Sequence, residues 1–153
     1  TLRHRKESHG AQGELDAATE LVNKGQTVER LPDSKIQGRT NPDFLINENQ
    51  LLEIKSRNTP VTREWIQNSI KNSNVQFRDS GISDNPQGFV QLRLTNQGKP
   101  DIALLEEVVP MLDRVFHAGQ YTKVIGVYII HEGRLLAEWS RVGGQIIKTV
   151  FQK

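Results

Sequence analysis

Cysteine is absent from the 153-residue chain, and this removes three classes of function. Without thiols there is no disulfide scaffold, no cysteine-bound zinc and no cysteine nucleophile. The four histidines do not recur at ligand spacing within one predicted element, apart from His4 and His9 near the start, which argues against a histidine zinc site. No run of about 18 apolar residues is present to cross a membrane, and the polar, basic first residues do not resemble a signal peptide.

The chain also lacks a large excess of either charge, since it has 20 lysine and arginine residues and 18 aspartate and glutamate residues. A net charge of +2 is too small to indicate a nucleic-acid partner, but its distribution is uneven. Residues 1–12 contain a basic cluster and are predicted to form a flexible basic leader. Residues 13–153 are long enough for a single domain with its own core. Because the chain begins with Thr1 instead of Met, we expect it to be a fragment of a larger protein.

The pattern of apolar residues predicts an alternation of helices and strands. Helices are predicted over residues 13–24, 60–74 and 101–118, with Thr59 capping the second helix and Pro110 bending the third. Strands are predicted over residues 27–31, 43–46, 50–55, 89–94, 123–130, 135–139 and 145–151. This order indicates an α/β fold, with a mixed central β-sheet flanked by helices.

Two acids meet in the predicted hairpin whose loop is formed by residues 47–49. If Ile46 pairs with Gln50, Asp43 lies opposite Glu53, and Lys55 shares their face by the two-residue period of a strand. Two opposed carboxylates repel one another unless a cation lies between them. A hard divalent cation, Mg²⁺ with Mn²⁺ or Zn²⁺ as alternatives, removes this repulsion because carboxylate oxygens are its natural ligands.

A third acid, Glu14, lies at the start of the inward-facing stripe of the first predicted helix. We therefore expect Glu14, Asp43 and Glu53 to converge on one metal ion with Lys55 beside them. Such an ion would polarise a phosphodiester and lower the pKa of a bound water. Lys55 would orient that water or neutralise the charge that develops on phosphorus.

Other polar residues near the hairpin are weaker candidates. Ser56 and Gln76 are secondary site candidates, while Arg57, Arg63 and Lys71 suit contacts with backbone phosphates or, equally, a solvated face. The two tryptophans, at positions 65 and 139, are expected either to stack on an unpaired base or, more simply, to pack in the core.

Pro42-Asp43, nine intervening residues and Glu53-Ile54-Lys55 together resemble the signature of PD-(D/E)XK nucleases. Glu14 matches the upstream acid of that superfamily. Asn68, Asn72 and Gln76 make the second helix similar to the polar helix that these enzymes often place beside the site. The resemblance covers residues 13–94 and implies a PD-(D/E)XK nuclease-like fold, a divalent metal, and catalytic roles for Glu14, Asp43, Glu53 and Lys55.

Within that superfamily the small size, the missing initiator Met and the basic leader resemble the C-terminal toxin domain of a contact-dependent growth inhibition protein of the CdiA type. This resemblance implies a nuclease toxin that is secreted or delivered from the cell surface as part of a larger protein. It would act in the cytoplasm of the target bacterium, cleave RNA, with tRNA the favoured substrate, and be blocked by a cognate immunity protein. The alternatives are a DNase toxin of the same fold, a repair or restriction nuclease, and a non-catalytic nucleic-acid- or protein-binding module.

Overall fold

The computed structural model describes residues 9–32, 41–82 and 86–151. These residues form three helices and one seven-stranded sheet. In chain order the elements are α1 (His9–Asn23), β1 (Val28–Arg30), β2 (Phe44–Ile46), β3 (Gln50–Arg57), α2 (Arg63–Arg78), β4 (Gly88–Leu94), α3 (Asp101–Val115), β5 (Val124–His131), β6 (Arg134–Val142) and β7 (Gln145–Val150).

The strands lie side by side in the same order as in the chain. β3, β4 and β5 are parallel, and all other neighbours are antiparallel. The prediction of an α/β fold with a mixed sheet is confirmed. The parallel strands require crossover connections, and α2 and α3 supply them.

The two faces of the sheet are covered unequally. α2 and α3 pack on one face and build the larger core, in which Phe77 and Leu112 meet Leu51 and Leu92 of the strands. Both crossovers reach the same face, as expected when two successive parallel connections share one handedness. α1 packs on the opposite face over a smaller cluster that consists of Ala17, Phe44, Ile46, Leu52 and Ile54.

α1 differs from its prediction in extent and in orientation. The helix begins at His9, so residues 9–12 are helical and not part of a leader, while residues 1–8 lie outside the described part of the chain. Leu15 and Val22 belong to the predicted apolar stripe, yet they are 59% and 55% exposed. The helix packs through smaller residues instead. A side chain at Gly13 would collide with Ser56 of β3, so glycine at this position permits the close approach of helix and strand.

α2 begins later than predicted, because a loop is fixed in front of it. Thr62 is the N-cap, and its Oγ1 accepts a hydrogen bond of 3.1 Å from the Trp65 N–H. The preceding loop is held by Gln97 Nε2, which donates to the Thr59 carbonyl at 2.8 Å. α2 continues to Arg78, beyond the predicted end at residue 74, and α3 contains Pro110 but ends at Val115 instead of residue 118.

The predicted register of the first hairpin is confirmed, since Ile46 pairs with Gln50 around the loop of residues 47–49. The hairpin predicted at the end of the chain is present, but β6 continues to Val142, which pairs with Gln145 around two glycines in the left-handed region. Within the described ranges no helix is long and apolar enough to cross a membrane.

The N-cap of α2 can be tested by a matched pair of substitutions. We expect Thr62→Ala to destabilise the protein by about 1 kcal/mol, because the Trp65 N–H loses its acceptor. Thr59→Ala should have little effect, since Thr59 is exposed and contributes its backbone carbonyl to the loop. Urea denaturation of both variants provides the comparison. A larger loss for Thr59→Ala would contradict this assignment of the cap.

Candidate active site

The candidate site lies where β2 begins, beside the middle of β3. Phe44 pairs with Leu52, so the preceding residue, Asp43, lies opposite Glu53 as predicted. The Asp43 N–H donates to Glu53 Oε1 at 3.0 Å, and the Ile54 N–H donates to Asp43 Oδ2 at 2.8 Å. Each carboxylate is therefore fixed by the backbone of the neighbouring segment, beyond the end of the strand ladder.

Lys55 completes this cluster on the same side of β3. Its Nζ lies 2.9 Å from Glu53 Oε2. The Glu53 side chain is only 6% exposed and the Lys55 side chain 24%, so the acid is buried while the amine reaches solvent. Leu51 shares the alternation of Glu53 and Lys55 and belongs to the larger core, which places the cluster on the sheet face that carries α2 and α3.

The pKa values of both acids in the cluster are raised, chiefly by burial. Burial, followed by the charges of Glu53 and Glu14, raises the pKa of Asp43 to about 8, and the Ile54 N–H and Lys55 oppose this only in part. Burial also raises the pKa of Glu53, against the opposing effect of Lys55. The two carboxyls therefore hold a proton near neutral pH, where an exposed pair would be fully ionised. Perturbed acids of this kind concentrate at functional sites.

Glu14 lies on the other face of the sheet from the Asp43–Glu53 pair, because α1 packs on that face. Its Oε1 is 2.9 Å from Nη1 of Arg30, a residue of β1 that also lies over the Phe44 ring. The Glu14 charge still contributes to the raised pKa of Asp43. In the described residues, however, no group of three histidine, aspartate or glutamate side chains is arranged to hold a metal ion. The structure pairs Glu14 with Arg30, and a metal-ligand role for Glu14 stays a prediction.

The two secondary candidates have separate locations. Ser56 contacts α1 at Gly13, on the face opposite Lys55, and its buried hydroxyl has no hydrogen-bond partner in the part of the chain that is described. The structure thus does not place Ser56 beside the two acids. Gln76 is half-buried on α2, directly before Phe77 of the larger core. Its role in the site stays a prediction.

The three predicted nucleic-acid contacts lie on or beside α2, on the face of the sheet that carries the site. Arg57 ends β3, donates from Nε to the Pro60 carbonyl at 2.8 Å, and places its guanidinium 5.5 Å from the ring centroid of Trp65. Arg63 and Lys71 are exposed on α2. A phosphate-binding role for all three stays a prediction.

The tryptophans differ in their surroundings. Trp139 is fully buried, and its Nε1 donates to Asp113 at 2.9 Å, so this residue packs in the core. Trp65 is half-buried, with Arg57 over its ring. The sequence did not separate the two residues, because a pairing between Arg57 and Trp65 depends on how the loop returns to α2. Arg30 was missed for a similar reason, since only the pairing of β1 with β2 brings it to Glu14.

The site thus provides two buried acids with hard oxygen donors and one amine that reaches solvent. Comparisons of the chain with family models, with curated proteins and with solved structures gave no significant match. Function is therefore inferred from the chemistry of these residues.

The raised pKa of Asp43 predicts a pH-dependent effect on stability. Between the ordinary value of 3.8 and about 8, the unfolded chain releases the Asp43 proton and the folded chain keeps it. The folded protein accordingly loses stability as pH rises through this range. Asp43→Asn removes the loss and keeps an oxygen for the Ile54 N–H. We expect the variant to melt at least about 2–4 °C above the wild type near pH 8, with a smaller difference near pH 5.

Thermal unfolding in the presence of chelator at several pH values measures this difference. Glu106→Gln, an exposed acid on α3, is the matched control and should show no pH-dependent gain. An Asp43→Asn difference that stays constant with pH, or that grows towards acid, would contradict the raised pKa.

Proposed function

We propose that the protein is a divalent-metal-dependent nuclease of the PD-(D/E)XK type. The observation that supports this most strongly is the cluster of Asp43, Glu53 and Lys55. A buried and a half-buried acid are fixed against each other, and within the described part of the chain Lys55 is the one cation paired with them. A hairpin with a purely structural role would gain stability from neutral side chains at these positions.

The donor chemistry of the two acids fits a hard divalent cation such as Mg²⁺, with Mn²⁺ and Zn²⁺ as alternatives. Mg²⁺ is commonly bound by one or two carboxylates together with waters and substrate phosphate oxygens, so it does not require a third protein ligand. Asp43 and Glu53 would hold the ion, whereas Glu14 is paired with Arg30 on the other face of the sheet. When bound, the ion would supply Lewis-acid polarisation of the phosphoryl group and a water of lowered pKa.

The residues of the chain have distinct roles in this proposal. Glu53 holds Lys55 Nζ at 2.9 Å, which directs the ammonium group towards the position of the scissile phosphate. Lys55 would donate a hydrogen bond to a non-bridging oxygen, where negative charge increases as water adds to phosphorus. The P–O bond to the leaving oxygen would break as the bond from the attacking water forms. The attacking water would release a proton to solvent, and the leaving oxygen would take one from solvent. The backbone N–H groups of Asp43 and Ile54 keep both acids in register throughout.

For the substrate and the biological setting we propose RNA, most specifically tRNA, and a toxin of contact-dependent growth inhibition. This proposal rests on the resemblance of the sequence motif. The toxin would be delivered as part of a larger protein, act in the cytoplasm of the target bacterium and be neutralised by an immunity protein. Exposed Arg63 and Lys71 suit contacts with a nucleic-acid backbone. A DNase would use the same residues on another substrate.

A non-catalytic binding module is the second candidate, and the ion pairs of the acids favour it. Glu14 pairs with Arg30, and Glu53 pairs with Lys55, so each glutamate has a cation without any metal. Among the residues that the structure describes, Asp43 forms no ion pair, and its pKa is raised to about 8, which favours the metal-binding proposal.

The activity can be tested by incubating the protein with total bacterial RNA or with plasmid DNA, each with Mg²⁺ or with chelator. We expect chelator-sensitive cleavage of tRNA, reduced at least about 100-fold by Asp43→Ala or Lys55→Ala because each removes an electrostatic group from the transition state. Lys71→Ala is the matched loss of a charge and should retain nearly full cleavage per bound substrate. Undiminished activity in both site variants would sink the assignment, and cleavage of DNA alone would change the substrate.

Metal binding can be tested without any substrate. An ion that binds only the folded state stabilises it in proportion to the logarithm of its concentration above Kd. We therefore expect about 10 mM Mg²⁺ or Mn²⁺ to raise the melting temperature of the wild type. Asp43→Asn should lose most of this rise, whereas Glu106→Gln should retain it. Equal rises in all three proteins would indicate nonspecific binding elsewhere.

A further inference from the structure

Arg57 and Trp65 form a cation–π pair beside the candidate site. The guanidinium lies 5.5 Å from the indole centroid, and its Nε is fixed to the Pro60 carbonyl at 2.8 Å. Trp65 packs against the larger core on one side, and its backbone N–H is fixed by the Thr62 cap. Neither partner of the stack needs to be ordered when a ligand arrives, which reduces the entropic loss of binding.

Arg57 lies on the same strand as Lys55 and close to it. Arg57 follows Lys55 by two residues on β3, so the two side chains leave the same face of the strand about 7 Å apart along its axis. The intervening Ser56 points to the opposite face, towards Gly13. A nucleic-acid strand whose phosphate lies at Lys55 would therefore meet Arg57 with its next nucleotide.

The chemistry of a guanidinium backed by an indole suits a nucleobase. Arginine is planar, carries a delocalised charge and stacks on flat rings, whereas lysine carries a point charge and cannot stack. Trp65 lies against one side of the guanidinium, and Arg57 is half-buried, so part of its side chain reaches solvent. A base would stack on the side turned away from the indole. A base inside a duplex has both faces covered by its neighbours, so only an unpaired base can use this position.

We infer that Arg57, supported by Trp65, stacks on an unpaired base adjacent to the phosphodiester bound at Lys55. The inference rests on the proposed nuclease function and specifies its substrate class. The enzyme acts on nucleic acid that is single-stranded or looped at the cleavage position. Arg57 is then a base-binding residue that contributes more than its charge.

The test separates stacking from charge by exchanging arginine for lysine. Binding of a labelled single-stranded RNA and of the duplex of the same sequence is measured by fluorescence anisotropy, with chelator present so that nothing is cleaved. Arg57→Lys should weaken binding of the single strand by roughly 5- to 100-fold, the range of one lost base stack. Binding of the duplex and the dependence on salt should be unchanged because the charge is retained. Arg114→Lys, at an exposed arginine of α3, should change neither affinity.

A second measurement uses the unmodified protein and so does not depend on how the variant folds. The chain has two tryptophans, and Trp139 is fully buried, so quenching of fluorescence by acrylamide reports mainly on Trp65. A bound single strand should protect Trp65 from the quencher, and the duplex should not. Equal affinity of Arg57→Lys for the single strand, an equal loss on the duplex, or absence of protection would each overturn the inference.

These outcomes are independent of the proposed catalysis. Because no metal is present, binding is measured whether or not the protein cleaves its ligand. If Asp43 and Lys55 variants keep full activity while Arg57→Lys shows the selective loss, the nuclease mechanism fails and the base-binding position stands. The reverse result removes the stacking position and leaves the catalytic cluster intact.

Discussion

The structure around the candidate site depends on the mutual hydrogen bonding of Asp43 and Glu53. Each carboxylate accepts a backbone N–H from the segment that carries the other. This arrangement continues the pairing of β2 and β3 one residue before β2 begins, but it uses two side chains of the same charge. Burial then raises the pKa values of both acids, and Lys55 compensates only part of their charge. The backbone hydrogen bonds fix the positions of both acids, while Lys55 neutralises only part of their negative charge. A bound cation would neutralise the rest.

The unequal cover of the sheet sets the surroundings of this cluster. α2 and α3 cover the face of the parallel strands β3 to β5 that carries Glu53 and Lys55, as buried parallel strands require, and only Lys55 of these two reaches solvent. α1 covers the opposite face through Gly13 and Ala17. Glu14, in the first half of α1, forms an ion pair with Arg30. Its charge still contributes to the raised pKa of Asp43. The proposed function needs only the two acids on the face that carries α2 and α3, together with the lysine beside them.

The sequence predicted most of the site because its geometry is local. The three-residue loop fixes the register of β2 and β3, and the two-residue period then places Asp43, Glu53 and Lys55 on one side. The sequence could not predict which side of α1 packs on the sheet, since Leu15 and Val22 are as apolar as the buried residues of the helix. The side that packs contains Gly13, whose lack of a side chain lets the helix approach Ser56 closely. The N-cap of α2 was predicted too early because Thr59 and Thr62 are equivalent in type. Only the tertiary contacts of the loop, from Gln97 and Arg57, select Thr62.

The proposed function depends on Asp43 and Glu53 binding a divalent cation in addition to the ion pair between Glu53 and Lys55. Its most direct test is a crystal structure of the protein grown with Mn²⁺, with anomalous diffraction used to locate the metal. The account predicts an anomalous peak for a Mn²⁺ ion within bonding distance of carboxylate oxygens of both Asp43 and Glu53, with Lys55 close by. Crystals that contain Mn²⁺ only elsewhere on the protein, with the two acids still hydrogen-bonded as in the free chain, would contradict it.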